Sequence, residues 1–355
     1  MRKVYLLLII LLFHSVLLAQ KTEISDPDKR TDWWGDIDGF YNQQASISLR
    51  LVNDVLKNHP PEVEEPLIRK LALLLIDNVL HEEKAPLHKA VHDFFRNRME
   101  TAVEEIRTTK VSEGAVIWKL YNHAFVVKTS SVTIGFDIQK GLTGNDGFMI
   151  GDEMMKMLVK EIDMLFISHY HRDHADPATA ELFLSGNKPV ITPPDLWTDL
   201  PVFKRVTHPE RKAHEIQEIL IPQKNLRIKF VNYPGHQGEK ILNNVYLVFT
   251  PEGLSFSHTG DQSNSEDFLW MKSVSDFHSV DVLMVNTWGL DPEKRLAKGF
   301  RPQLIIAGHE NEMGHSVDHR EPYWLNYPRL EDRSVMPWIH MAWGEKYHYI
   351  PPGEK

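Results

Sequence analysis

The sequence contains no cysteine among its 355 residues. The chain therefore forms no disulfide, carries no thioether-linked lipid and offers no thiolate to a metal ion, so its stability depends on a packed core. Low-complexity tracts and internal repeats are also missing, and 42% apolar with 25% charged residues is typical of a globular protein. The length suffices for one large domain with an appendage or for two domains.

The balance of charge argues against nucleic acid as a general partner. The formal net charge is −9 at pH 7, and a negatively charged protein is repelled by the phosphate backbone. We expect no nucleic-acid partner, and a small-molecule or lipid-like substrate instead. The sequence leaves the oligomeric state open.

Residues 1–20 differ in character from the rest of the chain. Arg2 and Lys3 precede an almost wholly apolar stretch at residues 4–13, and a small residue precedes the polar sequence that follows. This order predicts a cleaved signal peptide, and hence a periplasmic or secreted protein without stable membrane insertion. An uncleaved membrane anchor is the alternative, but the apolar run is short for a bilayer and His14 interrupts it.

Residues 21–110 are predicted to form a small helical N-terminal region. From about residue 40 the apolar residues recur at helical spacing, and Pro66 and Pro86 occupy positions that a first helical turn tolerates. The clearest apolar stripe comprises Leu87, Ala90, Val91, Phe94, Phe95, Ala102, Val103 and Ile106. Such a stripe is more often part of a core than a surface for a partner.

After residue 110 the apolar residues follow the spacing of strands. Residues 115–121, 124–128 and 131–137 are short β-rich runs separated by polar turns, which indicates consecutive antiparallel strands. Further strands are predicted directly before residue 169 and at residues 189–192, 226–233, 245–249, 254–257, 282–285 and 304–307. Residues 193–223 are rich in charge and proline and are predicted to be irregular.

The chemistry of the sequence is concentrated at residues 169–174, His-Tyr-His-Arg-Asp-His. An apolar run ends there, which places these side chains in a loop at the carboxyl end of a buried strand. In an extended segment His169 and His171 point the same way and can reach one ion, while a turn into a following helix carries Asp173 and His174 toward a second. The spacing suits two metals better than one. A histidine-rich surface loop is the competing interpretation.

Three later strand ends carry further metal-ligand residues, namely His236, Asp261 and His309. Each alone is a weak signal, because a single histidine is as often structural as a ligand and Asp261 could serve only its Thr-Gly-Asp turn. Their order after the histidine-rich motif strengthens the assignment. If these strands share a sandwich, their loops converge on one edge.

This pattern resembles the metallo-β-lactamase superfamily of metallohydrolases over roughly residues 115–309. The resemblance implies an α/β fold, an αββα sandwich with the metals in a cleft along one edge, preceded here by the helical region. The ligands it implies are, for the first metal, His169, His171 and His236; for the second metal, Asp173, His174 and His309; and, bridging both, Asp261. We assign residues 111–310 to this domain and residues 311–355 to an aromatic-rich extension of it.

Residues 118–124 carry a finer resemblance. Trp-Lys-Leu-Tyr-Asn-His-Ala is similar to the Trp-x-Gly-His segment of the branch that contains ascorbate-phosphate lactonases and N-acyl phosphatidylethanolamine phospholipases D, with Asn122 in place of the usual glycine. His123 is therefore a candidate substrate-binding residue, with a hydrogen-bonded histidine at a strand end as the equal alternative. His258, beside the Asp261 turn, is a second candidate.

The polar run that follows His309 is a candidate wall of the substrate site. His315 is its best candidate for a catalytic acid or a substrate contact, and a solvated loop is the alternative. His309 and Glu310 begin a His-Glu-x-x-His string, but Met313 occupies its last position, so the sequence excludes a zincin helix.

The function predicted from these residues is an exported hydrolase whose two metals share an activated water. Two divalent ions about 3.5 to 4 Å apart lower the pKa of a bridging water, so that hydroxide attacks an ester, lactone or phosphodiester bond. Asp173 would orient this nucleophile. Ligands that are all nitrogen and oxygen favour Zn²⁺ and permit Mn²⁺ or Fe²⁺.

The alternative is an iron-dependent oxidoreductase or a non-catalytic ligand-binding protein on the same fold. The complete set of ligand residues argues against a protein that has lost turnover. His171 argues against an oxidoreductase, because flavodiiron-type relatives carry a carboxylate at that position of the motif.

Overall fold

Our computed structural model of the protein describes residues 36–142 and 146–353. The predicted signal peptide at residues 1–20, with the predictions of export and of an alternative anchor, lies outside this range. Within it, the search for a helix of sufficient length and apolar character to cross a bilayer finds none.

In the described part of the chain three α-helices precede the first strand: α1 (Ile37–Asn58), α2 (Leu67–Leu80) and α3 (Lys89–Thr108). Pro66 stands at the N-cap of α2 in an extended conformation, where its missing N–H costs no helical hydrogen bond. The predicted apolar stripe on α3 is buried from Ala90 to Ile106. Leu87 is the exception, since it lies in a short 3₁₀ turn before the helix and is 68% exposed.

Two sheets follow. The first has six strands in the order β13-β1-β2-β3-β4-β5. Its members are β1 (Ala115–Lys119), β2 (Phe125–Lys128), β3 (Thr133–Phe136), β4 (Met164–Phe166), β5 (Val190–Ile191) and β13 (Lys346–Tyr349). Strands β1, β2 and β3 pair antiparallel as predicted, whereas β3, β4 and β5 run parallel.

The second sheet has seven strands in the order β12-β11-β10-β9-β8-β7-β6. Its members are β6 (Ile216–Ile221), β7 (Leu226–Gln237), β8 (Ile241–Phe249), β9 (Ser255–His258), β10 (Val282–Asn286), β11 (Leu304–Gly308) and β12 (Trp338–Ile339). Strands β9, β10 and β11 are mutually parallel, so their carboxyl ends lie at the same edge of the sheet.

The remaining helices cover the two sheets. They are α4 (Asp152–Glu161), α5 (Pro177–Ser185), α6 (Phe268–Met271), α7 (Val274–Phe277), α8 (Arg295–Phe300) and α9 (Tyr323–Arg333). One apolar core lies between the sheets and includes Phe136, Phe166 and Phe230. A second core joins the outer face of the second sheet to α6, α7, α8 and α9. The predicted αββα sandwich with preceding helices is therefore confirmed.

Two elements differ from the sequence-based prediction. Strand β6 lies within residues 193–223, and its side chains are mostly exposed or half-buried, so it shows no apolar alternation. The C-terminal residues supply α9, which contains Pro328, and strand β13, which pairs with β1. The aromatic-rich extension thus contributes an edge strand to the first sheet.

Buried polar contacts join α2 to this C-terminal part, within the compact unit formed by residues 45–355. The Arg69 guanidinium is wholly buried and donates to both carboxylate oxygens of Glu345, at 2.8 and 2.6 Å, and to the His340 carbonyl at 2.8 Å. Asp77 accepts hydrogen bonds from the backbone N–H groups of Tyr323 and Trp324, each at 3.0 Å. Helix α2 is therefore joined to the C-terminal part of the domain by specific buried hydrogen bonds.

Replacement of Arg69 tests this junction. We expect Arg69→Met to lower the free energy of unfolding by about 3 to 5 kcal/mol, because it leaves the Glu345 carboxylate buried without its partner. Arg107→Met is the matched control, since Arg107 pairs with Glu104 on the exposed face of α3, and it should leave stability nearly unchanged. Denaturant unfolding measures both variants, and equal stability of the two would contradict the assignment.

Asp77 predicts a pH dependence of stability. Burial raises its pKa from 3.8 to about 6. The native state then holds the proton more tightly than the unfolded chain does. The stabilisation that comes from protonated Asp77 is therefore fully present below pH 4 and is lost as the pH rises through 6. Relative to wild type, Asp77→Asn should gain about 2 to 3 kcal/mol of stability between pH 4 and pH 7. Denaturant unfolding of the metal-free proteins across this range checks it; parallel pH profiles would refute it.

Candidate metal centre

The strand order brings the predicted ligands to one edge of the sandwich. Strand β4 ends at Phe166, directly before the histidine-rich loop, and its parallel neighbour β3 ends beside Asp137. In the second sheet, Asp261 follows β9 and His309 follows β11, with the parallel strand β10 between them. Because parallel strands end at a common edge, residues far apart in sequence meet there.

Six of the seven predicted metal ligands lie in two groups of closely spaced ligand atoms. In each group the atoms lie within 4.8 Å of one another. The first group contains His169, His171 and Asp261, and the second contains Asp173, His174, Asp261 and His309. Asp261 belongs to both groups, as the predicted bridging residue should.

The distances in the second group fit a metal better than they fit hydrogen bonds. His174 Nε2 lies 3.2 Å from Asp173 Oδ2 and 3.3 Å from Asp261 Oδ1, and His309 Nε2 lies 3.3 and 3.5 Å from Asp173 Oδ2 and Asp261 Oδ2. Among the described residues, none forms a geometrically sound hydrogen bond with either buried Nε2 atom or with that of His169. Ligand atoms around one tetrahedral zinc are about 3.4 Å apart, given bonds of about 2.0 to 2.2 Å. These residues therefore fit a bound cation.

Asp137 and Ser168 hold two of the imidazoles from behind. His174 Nδ1 donates to Asp137 Oδ2 at 2.8 Å. His169 Nδ1 lies 3.0 Å from Ser168 Oγ, which in turn donates to Asp137 Oδ2 at 2.7 Å. With the proton fixed on Nδ1, each Nε2 presents its lone pair to the centre, as a metal requires.

Asp137 was not among the residues predicted from the sequence. The signal was present, because Asp137 ends the predicted strand at residues 131–137 and so follows the same rule as Asp261 and His309. An isolated Asp at a strand end is common, however, and only the parallel pairing of β3 with β4 brings it against His174.

His236 is placed differently from the other predicted ligands. It lies within β7 rather than after it, and it belongs to neither group of close ligand atoms among the described residues. Its Nδ1 lies 3.2 Å from both carboxylate oxygens of Asp267, which leaves Nε2 free to bind a cation. The next residue, Gln237, donates to Asp261 Oδ2 at 3.2 Å. The role of His236 as a ligand stays a prediction.

The charges of the centre are strongly coupled. Burial favours the neutral imidazole of His169 and lowers its pKa to about 3. Burial opposes protonation of His309 too, but the carboxylates of Asp261 and Asp173 raise its pKa to about 10. The pKa of Asp261 falls well below its usual value despite burial, because His174 and His309 stabilise the carboxylate. Bound cations would take over the charge balance from these protons.

The two predicted substrate-binding histidines lie behind this centre. His123 and His258 are wholly buried, so in this structure neither presents surface to a substrate. The His258 Nε2–H donates to the His123 carbonyl at 2.9 Å, and its ring stacks on Phe136. The His123 ring lies 6.2 Å from that of His174.

His315, the predicted catalytic acid, lies on an open cavity of about 270 Å³ beside the centre. Its side chain is 38% exposed, and its ring packs 5.7 Å from that of His309. Its backbone N–H donates to Glu312 Oε2 at 2.7 Å. The cavity is lined by Gly141, Leu142, Arg172, Asp173, Glu312, Gly314 and His315. A ligand in this cavity would meet the Asp173 side of the centre.

Comparison with known families agrees with this geometry. A family model described as "Beta-lactamase superfamily domain" matches residues 99–309. The chain belongs to this superfamily. The match confirms the predicted superfamily and, with it, the predicted enzyme class of metal-dependent hydrolase. No curated protein matches the sequence significantly.

Several solved structures are similar in fold. Igni18, a metallo hydrolase from Ignicoccus hospitalis, is 15% identical with a TM-score of 0.48, over 66% of this chain and 99% of its own. The isothiocyanate hydrolase from Delia radicum gut bacteria is 12% identical with a TM-score of 0.47, over 66% and 99%. The diiron β-hydroxylase CmlA from Streptomyces venezuelae is 14% identical with a TM-score of 0.46, over 68% and 54%.

The contact between Asp137 and His174 can be tested through metal affinity. Asp137→Asn removes the carboxylate that fixes the proton on Nδ1, so we expect divalent-metal affinity to fall by about 10- to 100-fold with all ligands intact. Asp276→Asn, which changes an exposed carboxylate on α7, serves as the control and should bind as wild type does. Competition with a chromogenic chelator at fixed pH measures both, and unchanged affinity of Asp137→Asn would rule out the positioning role.

Proposed function

We propose that the protein is an exported dinuclear metal-dependent hydrolase that cleaves an ester, lactone or phosphodiester bond. The observation that carries the proposal is the sharing of Asp261 between two groups of ligand atoms. A carboxylate with one oxygen near His174 and the other near His309 and His169 is suited to bridge two cations. The export part rests on the sequence of residues 1–20 alone.

Seven residues of this chain would hold the two ions. His169, His171 and His236 would hold the first; Asp173, His174 and His309 the second; and Asp261 both. Because all the donors are nitrogen and oxygen, Zn²⁺ is the favoured ion, and Mn²⁺ or Fe²⁺ is compatible with the same set. When bound, such a pair lowers the pKa of a shared water so that hydroxide forms near neutral pH.

Asp173 would orient the attacking water. It is the ligand that also lines the cavity, so it stands between the centre and an entering substrate. Asn122 Nδ2 donates to Asp173 Oδ2 at 2.9 Å and to its carbonyl at 3.2 Å. Asn122 occupies the position of the glycine in the resembled branch, and here its amide fixes the orientation of the Asp173 carboxylate.

His315 would donate the proton that the leaving group takes up. It lies on the cavity wall next to His309, and its backbone is held by Glu312. Tyr121 OH donates to the other Glu312 oxygen at 2.6 Å and so fixes that carboxylate. Because its side chain lines the cavity, His315 is placed to meet the leaving group of a bound substrate.

Ligand replacement combined with metal analysis tests the proposal. Wild type should bind two ions per chain; His171→Ala should lose one, and Asp261→Ala most of both. Hydrolysis should fall by more than about 100-fold in each, since even partners behind the ligands cost 10- to 100-fold. Elemental analysis is combined with assays on 4-nitrophenyl acetate, bis(4-nitrophenyl) phosphate and a lactone, with Asp276→Ala as control.

Two outcomes would overturn this function. Full metal content in either ligand variant would refute the ligand assignment. Wild-type protein that contains iron and consumes oxygen without hydrolysing any of these substrates would show an oxidoreductase instead.

A further inference from the structure

The positively charged side chain of Arg172 lies on the wall of the cavity. Its side chain is exposed and lines the cavity together with Asp173 and His315. Among the side chains that the structure describes, those of residues 36–142 and 147–353, none forms a hydrogen bond or an ion pair with its guanidinium. Its chain neighbours His171 and Asp173 belong to the two ligand groups, so the backbone of Arg172 is anchored at the metal centre.

The two acidic residues of the same wall are already engaged. Asp173 Oδ2 lies against His174 and His309 and accepts from Asn122. Glu312 is only 2% exposed and accepts from Tyr121 OH and from the His315 N–H. A ligand in the cavity therefore meets a guanidinium that has no partner among the described side chains, while the two carboxylates bind groups of the protein itself.

The size and polarity of the cavity limit what can enter. Its volume of about 270 Å³ lies just below the range of about 300 to 1,000 Å³ that is usual for ligand sites. Of the seven residues that line it, Leu142 alone has an apolar side chain. This lining suits a small polar substrate better than the acyl chains of a lipid.

We infer that Arg172 binds an anionic group of the substrate, a carboxylate or a phosphate, that is separate from the bond to be cleaved. The enzyme is then specific for small acidic substrates. The inference rests on the proposed hydrolase function. A guanidinium offers a planar pair of N–H donors that matches either anion, and such charge-assisted paired bonds are strong and directional. They would hold the substrate with its scissile group toward Asp173.

The test compares matched substrates that differ only in an anionic tail. The metal-loaded wild type, Arg172→Gln and Arg172→Lys are assayed on neutral 4-nitrophenyl acetate and on anionic 4-nitrophenyl hemisuccinate. Arg227→Gln is the matched control, because Arg227 is exposed near the start of β7, while His236 and the centre lie at its other end.

We expect Arg172→Gln to lower kcat/KM for the hemisuccinate by about 10- to 100-fold, mainly through KM, and to lower it much less for the acetate. The kcat/KM of Arg172→Lys for the hemisuccinate should lie between the values for wild type and Arg172→Gln, because lysine keeps the charge and loses the paired donors. Added salt should raise KM for the hemisuccinate in wild type more than in Arg172→Gln. Equal loss on both substrates, or no loss on the hemisuccinate, would overturn the inference.

A binding measurement separates failure of this inference from failure of the proposed function. Monomethyl succinate and methyl phosphate are titrated calorimetrically into metal-loaded wild type, Arg172→Gln and Arg227→Gln. Weaker binding to Arg172→Gln alone supports the inference even if wild type hydrolyses no ester, and the more affected ligand identifies the preferred anion. Equal affinity in all three proteins for both ligands would refute the inference, whatever the hydrolysis assays show.

Discussion

The burial of two carboxylates side by side is the constraint on which the rest of the structure depends. The Asp261 side chain is almost wholly buried and that of Asp173 is 15% exposed, and both carboxylates lie within 3.5 Å of the same His309 nitrogen. Like charges this close cannot be kept in a protein interior unless positive charge stands between them. Imidazolium groups can supply that charge in part, and divalent cations supply it fully. The arrangement of charges at the centre therefore favours bound cations, and the fold holds the charged groups in place.

Several parts of the chain hold the predicted ligands in place. Asp137 and Ser168 fix the imidazoles from the first sheet. Behind His309, Glu310 is wholly buried, pairs with Lys119 and accepts from Asn326 Nδ2 at 3.1 Å. Lys119 belongs to β1 and Asn326 to α9, so the segment that carries His309 is clamped between the first sheet and the C-terminal helix. These contacts fix the backbone that presents the His309 imidazole.

Much of this could be predicted from sequence because the information is local. The motif at residues 169–174 contains four ligand residues in one loop, and Asp261 and His309 each end an apolar run, so strand ends alone indicate them. The features that the sequence did not indicate depend on three-dimensional pairing. Asp137 gains its role only through the parallel register of β3 and β4, and the buried positions of His123 and His258 follow from the closure of the sandwich. The type of residue at a strand end does not indicate the direction in which its side chain points.

The bond between Arg69 and Glu345 joins residues 276 positions apart. It therefore cannot form until residues near position 345 have been synthesised, and the same holds for the pairing of β13 with β1. During synthesis, helix α2 therefore lacks the partner of Arg69 until Glu345 has left the ribosome. A chain that ended before His340 would therefore lack both the edge strand β13 and the carboxylate that binds Arg69.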